Sequence, residues 1–144
     1  MTLDDIMALW SKDCDLDRTE LGEESLKIPQ LHSKYFNIFS KERLLLRKLE
    51  AEQRVLHNKK YEWFNGTMDI DDLKEMSWEP NPLKILRTDI QQYIDADDDI
   101  IKLNLQVAYQ KEKVEFLENA IRSLNARGFN IKSAIDWEKF KVGL

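Results

Sequence analysis

Apolar residues recur from position 93 to 124 in alternating steps of three and four. Tyr93, Ala96, Ile100, Leu103, Val107, Gln110, Val114, Leu117, Ile121 and Leu124 take the a and d positions of a heptad, and Gln110 alone is polar. Turns of 3.6 residues bring them into one narrow seam, and a strict 3.5 period favours left-handed supercoiling against another helix. The pattern predicts a helix from about Leu83 or Thr88 to Ala126. Arg127-Gly128 would stop it, with a cation in the last turn and a glycine just after.

A similar pattern precedes it. Leu31, Tyr35, Ile38, Leu45, Leu49, Leu56 and Trp63 fall on heptad positions, with Glu42, Glu52 and Lys59 in the gaps. Leu44, Ala51 and Val55 form a second stripe beside them. Two stripes on one helix suit a multi-helix assembly. This helix starts between Thr19 and Pro29, where Pro29 either opens the first turn or kinks it. It ends at Asn65-Gly66. At the N-terminus, Thr2 and Asp5 resemble a capping box, and Leu3, Ile6, Met7 and Trp10 share a face. Residues 67–87 are acidic and punctuated by Pro80 and Pro82. They predict a long connection, disordered in part or carrying a short helix. A last short helix with Ile135, Trp137 and Phe140 is expected after Gly128.

Burying the nine apolar seam residues is worth roughly 15–25 kcal/mol at about 1.5–3 kcal/mol each. Ordering and association entropy offset much of that. An intramolecular hairpin is one way to cover the seam. Length favours another. A helix from Thr88 to Ala126 is about 58 Å long, against a radius of gyration of about 14–15 Å for a compact domain of this size. The expectation is therefore an all-α, elongated chain with two long helices and short terminal helices, completing its core through coiled-coil-like contacts in a homo-oligomer. Tyr93, Ile100, Leu103, Val107, Val114, Leu117, Ile121 and Leu124 are the expected intersubunit contacts. Leu117→Asp is expected to dissolve the oligomer. The chain reads as one helical domain: residues 1–66 with the N-terminal helices, 67–87 as connection, and 88–144 with the oligomerisation and C-terminal helices.

The composition supports helices: 34% of the 144 residues are charged, with four Gly and three Pro. The net charge of −5 argues against a generic polyanion binder, but the charge is uneven. Residues 31–66 carry eight basic and four acidic side chains, net +4, whereas residues 67–99 carry three and ten, net −7. An acidic protein with one long basic segment is the pattern to explain. Cys14 is the single cysteine, which fits a reducing compartment. The first residues lack the basic start and apolar run of a signal peptide. No stretch is long and apolar enough to span a membrane.

The sharpest candidate chemistry lies at His57-Asn58-Lys59-Lys60-Tyr61-Glu62-Trp63-Phe64. Cations that hold phosphates, followed by rings that stack on bases, suit single-stranded nucleic acid. Lys59 and Trp63 share a face, as do Lys60 and Phe64. Arg43, Arg47, Lys48 and Arg54 extend the basic character upstream. The competing possibility is that the rings are core and the lysines are solvated. The run Asp95, Asp97, Asp98, Asp99 reads as a solvated face or as a charge partner for a basic helix. A metal site there, serving a nuclease, is a weaker rival. His32 and His57 lie on unrelated turns, no glycine-rich loop is present, and Cys14 has no nearby histidine. Enzyme chemistry thus has little support, and a helical scaffold without nucleic acid is the main alternative to binding.

The chain resembles the UvsY family of recombination mediators from T-even-type phages. Ala126-Arg127-Gly128-Phe129-Asn130-Ile131-Lys132 is similar to the family's Ser-Arg-Gly-Phe-Ala-Ile-Lys. Glu50-Ala51 and Val55 match as well. The family's single-strand-binding motif, Leu-Lys-Ala-Arg-Leu-Asp-Tyr-Tyr-Ser-Gly, matches His57 through Gly66. Its arginine falls on Lys60, its aromatic pair on Trp63 and Phe64, and its glycine on Gly66. Its lysine falls on Asn58, with Lys59 one position on. The resemblance implies a closed homo-oligomeric ring or barrel of six or seven subunits, a heptamer favoured. It also implies single-stranded DNA as ligand, and as partners a RecA-like phage recombinase and the phage single-strand-binding protein. It implies no covalent chemistry, no cofactor, no metal and no membrane, in the cytoplasm of an infected bacterial host. Arg54, Lys59, Lys60, Tyr61, Trp63 and Phe64 are the expected DNA contacts.

Overall fold

The computed structural model describes residues 1–144, and every regular element is helical: α1 (Leu3–Asp13), α2 (Leu21–Asn65), α3 (Ile70–Met76), α4 (Ile90–Asp95) and α5 (Asp98–Lys141). No helix is long and apolar enough to cross a membrane. The chain divides into two compact units. One is built from Met1–Leu44 and Gln110–Leu144, the other from Leu45–Tyr109. The long helices α2 and α5 each contribute to both.

Local chemistry sets most helix ends. Thr2 Oγ1 accepts from the Asp5 amide at 3.1 Å, and Asp5 accepts from the Thr2 amide at 3.0 Å, the expected capping box. Gly66, at φ 74°, ends α2, where the Thr67 amide donates to the Glu62 carbonyl at 3.0 Å. Ser77 takes the left-handed conformation to close α3. Pro29 lies inside α2, where its missing N–H deletes one helical hydrogen bond.

Two expectations about the second long helix are corrected. The helix does not run unbroken from Thr88. It breaks at Ala96-Asp97, because Asp97 turns its carboxylate onto the Asp99 and Ile100 amides at 3.0 and 3.1 Å and so caps α5. Carboxylates are unfavourable at the C-terminus of α4 and favourable at the N-terminus of α5, which places the break inside the aspartate run. Nor does the helix stop at Gly128. It continues to Lys141, so no separate last helix exists. Glycine costs about 1 kcal/mol in a helix interior. Burial of Arg127 and Ile131 on either side outweighs it.

The unit from Met1–Leu44 and Gln110–Leu144 has its core where α1 meets α2 and α5. Ile6, Tyr35, Leu117, Ala120 and Leu124 are buried there, with Trp10 edge-on to Tyr35 at 5.1 Å. Arg127 is buried and donates to the carbonyls of Asp13 and Cys14 at 3.0 and 3.1 Å. The arginine does satisfy a helix C-terminus, but that of α1. Asp13 accepts from Lys34 Nζ at 2.6 Å and from the Tyr35 hydroxyl at 2.8 Å.

The unit Leu45–Tyr109 packs Phe64, Ile90, Ile94 and Ile100 together, flanked by Leu56, Trp63 and Ile85. The break at Ala96 shifts the helical phase. Ile90 and Ile94 fill this core, while Tyr93 and Ala96, the first two seam positions, face solvent.

Candidate nucleic-acid interface

The stretch His57 to Asn65 forms the C-terminal end of α2, followed by Gly66, within the unit Leu45–Tyr109. The six expected contacts, five in this stretch and Arg54 just before it, divide into two groups. Arg54 and Tyr61 are exposed. Lys59 is half-buried, its Nζ 3.6 Å from Met76 Sδ. Beside it lies an open apolar groove of about 420 Å³, lined by Ala51, Val55, Leu56 and Leu103 among others.

Lys60, Trp63 and Phe64 turn inward. The Lys60 side chain is only 8% exposed, and its Nζ lies 3.2 Å from Asp97 and 2.9 Å from Asp99. The same ammonium sits 4.1 Å from the centre of the Trp78 ring and 5.9 Å from that of Trp63, within cation–π range. Trp63 donates its indole N–H to the Glu79 carbonyl at 2.6 Å. Phe64 packs against Trp63 and Tyr93, at 4.9 and 5.8 Å between ring centres. Asp97 and Asp99 of the aspartate run are thus charge partners of a lysine on the basic helix. No group of three or more His, Cys, Asp or Glu side chains there or elsewhere is arranged to hold a metal ion.

Along α2, Arg47, Arg54 and Tyr61 recur every seven residues and all three are exposed. Seven residues are almost two turns, so they form one column on the helix, with about 10 Å between successive members. The spacing was present in the sequence, but only exposure separates this column from the buried heptad column beside it. Gln53, Arg54, His57, Asp95, Ile100 and Asn104 line a pocket of about 410 Å³, with Gln53 donating to Asn104 at 2.6 Å. Sequence reasoning missed Trp78, Gln53 and Asn104 as neighbours, because only the folded chain brings α2 against the 78–104 region.

The expected seam residues also divide. Ile100, Val107, Leu117 and Leu124 are buried by their own chain, whereas Leu103, Val114 and Ile121 are half-buried and Tyr93 is exposed. Gln110, the polar member, is buried and donates to the Glu42 carboxylate at 2.6 Å.

Comparison with known proteins matches this architecture. A family model described as the recombination, repair and ssDNA binding protein UvsY matches residues 9–144. The recombination protein uvsY of Enterobacteria phage T4 is 26% identical over 143 residues, covering 99% of both chains. Crystal structures of the bacteriophage T4 recombination mediator protein UvsY superpose with a TM-score of 0.86 in one lattice, covering 99% of both chains at 25% identity. In another lattice the TM-score is 0.84, covering 97% of this chain and 99% of that one, again at 25% identity. With the family model spanning nearly the whole chain and the helical fold shared end to end, this chain belongs to the UvsY family of recombination and repair proteins.

Proposed function

We propose that this protein is a recombination mediator that binds single-stranded DNA. It helps a RecA-like phage recombinase load onto strands covered by single-strand-binding protein, in the cytoplasm of the infected host. The observation that carries this reading is the exposed column Arg47, Arg54, Tyr61 on α2. Two guanidiniums can hold phosphates, and the phenol ring can stack on any base, which gives binding without sequence preference. Lys59 adds a cation at the edge of this face. Lys60, Trp63 and Phe64 complete the site when the strand reaches the end of α2.

One such column is weak. A closed ring of six or seven subunits, a heptamer favoured, presents it repeatedly at high effective concentration. Self-association falls to the apolar surface a single chain leaves uncovered. That includes Tyr93 and the partly exposed Leu103, Val114 and Ile121, joined by Leu44, Val55, Ile101 and Leu105. Ile100, Val107, Leu117 and Leu124 are buried within the chain and hold α5, the helix that carries Leu103, Val114 and Ile121.

Titration of the intact protein with oligothymidine, read by tryptophan fluorescence at low and high salt, tests the reading. Salt-sensitive binding that collapses in Arg47→Ala/Arg54→Ala and weakens in Lys59→Ala supports it. Tyr61→Ala should cost about 1–3 kcal/mol per stacked base. An intact oligomer that binds no oligothymidine at low salt would leave a helical scaffold and overturn the proposal.

A further inference from the structure

Lys60 is a cation with nowhere to put a phosphate. Its Nζ is enclosed by Asp97, Asp99 and the Trp78 ring, and with two carboxylates on one ammonium the cluster carries a net charge of −1. A strand tracking along α2 past Arg54 would meet negative charge there. The two carboxylates play different parts. Asp97 is held three ways, by Lys60 and by the Asp99 and Ile100 amides that it caps. Asp99 is 59% exposed at its side chain, and its carboxylate holds Lys60 by a single oxygen at 2.9 Å. The neighbouring pocket is lined by Arg54, His57 and Asp95, and there Asp95 accepts from Gln91 at 2.7 Å.

We infer that Asp97 and Asp99 are a built-in stand-in for the DNA backbone at Lys60, and that a phosphate of single-stranded DNA displaces Asp99 from the ammonium. This rests on the single-strand-binding reading above. Asp97 stays in place as the cap of α5. Lys60 then passes from an internal ion pair to a phosphate, under the Trp78 ring. The protein keeps weak, non-productive polyanion contacts away from Lys60, because only a strand already held at Arg47 and Arg54 has the local concentration to compete.

The test is oligothymidine binding across a salt series for the wild type, Asp99→Asn, Lys60→Met and the Lys60→Met/Asp99→Asn double variant. Asparagine keeps the size of the exposed Asp99 side chain, and circular dichroism checks that helix content is retained. Asp99→Asn should bind several-fold more tightly than wild type at low salt. Its log–log salt dependence should differ from wild type by less than one full contact, about 0.7 for a single-strand phosphate, because the wild type also recruits Lys60 once Asp99 is displaced. Lys60→Met should abolish the gain. NMR supplies an independent readout: in the wild type, DNA should shift the side-chain carboxyl resonance of Asp99, while the Asp99 amide, still capped by Asp97, keeps its protection from exchange. If Asp99→Asn binds like wild type, or if its gain survives Lys60→Met, the stand-in is overturned while strand binding stands. If neither wild type nor variant binds, the single-strand reading itself falls, and this inference with it.

Discussion

Gln110 Nε2 donates to the carboxylate of Glu42 at 2.6 Å and to the backbone carbonyl of the same residue at 2.8 Å. Lys113 Nζ reaches the same carboxylate at 2.9 Å. The one polar residue of the heptad seam is therefore a register pin between α2 and α5, since a slide of one turn would separate it from Glu42. Gln110→Leu should lower stability by about 1–3 kcal/mol, although it adds apolar surface, because the Glu42 groups lose a buried donor. Urea unfolding measures this, and an unchanged or higher midpoint would show that the pin does not hold register.

The same carboxylate predicts acid sensitivity. Burial pushes Glu42 up, but the hydrogen bonds from Gln110 and Lys113 and the lysine charge together outweigh it, so its pKa lies below the usual 4.5. Asp13 behaves alike, with burial opposed by Lys34 and Tyr35, and lies below 3.8. A depressed folded pKa means that the unfolded chain binds protons first. The stabilisation is full above about 4.5 and is lost as pH falls through the folded values. Thermal melts between pH 6 and 3 should show this decline, and Glu42→Gln should flatten its upper part.

Arg127 and Gly128 should separate cleanly on mutation. Arg127→Met removes the donor from the Asp13 and Cys14 carbonyls and should cost about 1–3 kcal/mol. Faster amide exchange at the end of α1 would locate the damage. A Cβ on Gly128 meets only Ile28 Cδ1, at an ordinary 3.9 Å. Gly128→Ala should therefore be neutral or stabilising by up to about 1 kcal/mol. A large loss would mean that the glycine serves a backbone geometry other than the helix described.

Seam mutations should distinguish core from assembly. Leu117 is fully buried within its own unit, so Leu117→Ala should cost about 2–5 kcal/mol and act on folding first. Leu117→Asp would unfold that unit and not merely dissolve an oligomer. Leu105→Asp, on an exposed position, should leave the helix content intact and lower the mass seen by sedimentation. Retention of full mass would remove Leu105 from the contact surface.

Features set by neighbouring residues were legible in the chain. Thr2 and Asp5 announce the first helix because a capping box needs only a separation of three. Asn65-Gly66 ends the second because a left-handed backbone favours glycine. The heptads on α2 and α5 told that two long helices exist. Features set by distant partners were not legible. Arg127 reads as the end of its own helix, since the carbonyls it serves lie more than a hundred residues away. Lys60 reads as a free cation until Asp97 folds back to cap α5 and brings its carboxylate within reach. The heptad count likewise ran through Ala96, because periodicity does not register a cap within an acidic run.

The unit holding Arg127 joins the first 44 residues to the last 35, whereas the other unit is one continuous segment. During synthesis the continuous segment can begin to fold as soon as residue 109 leaves the ribosome. Helix α1, with Ile6 and Trp10 on one face, must wait until residues 110 onward arrive. At about 5–20 residues per second the wait after residue 44 is roughly 5–20 s. For that interval the nascent chain displays a sticky amphipathic helix with no home, so the opening segment is where chaperone binding and premature clumping would concentrate.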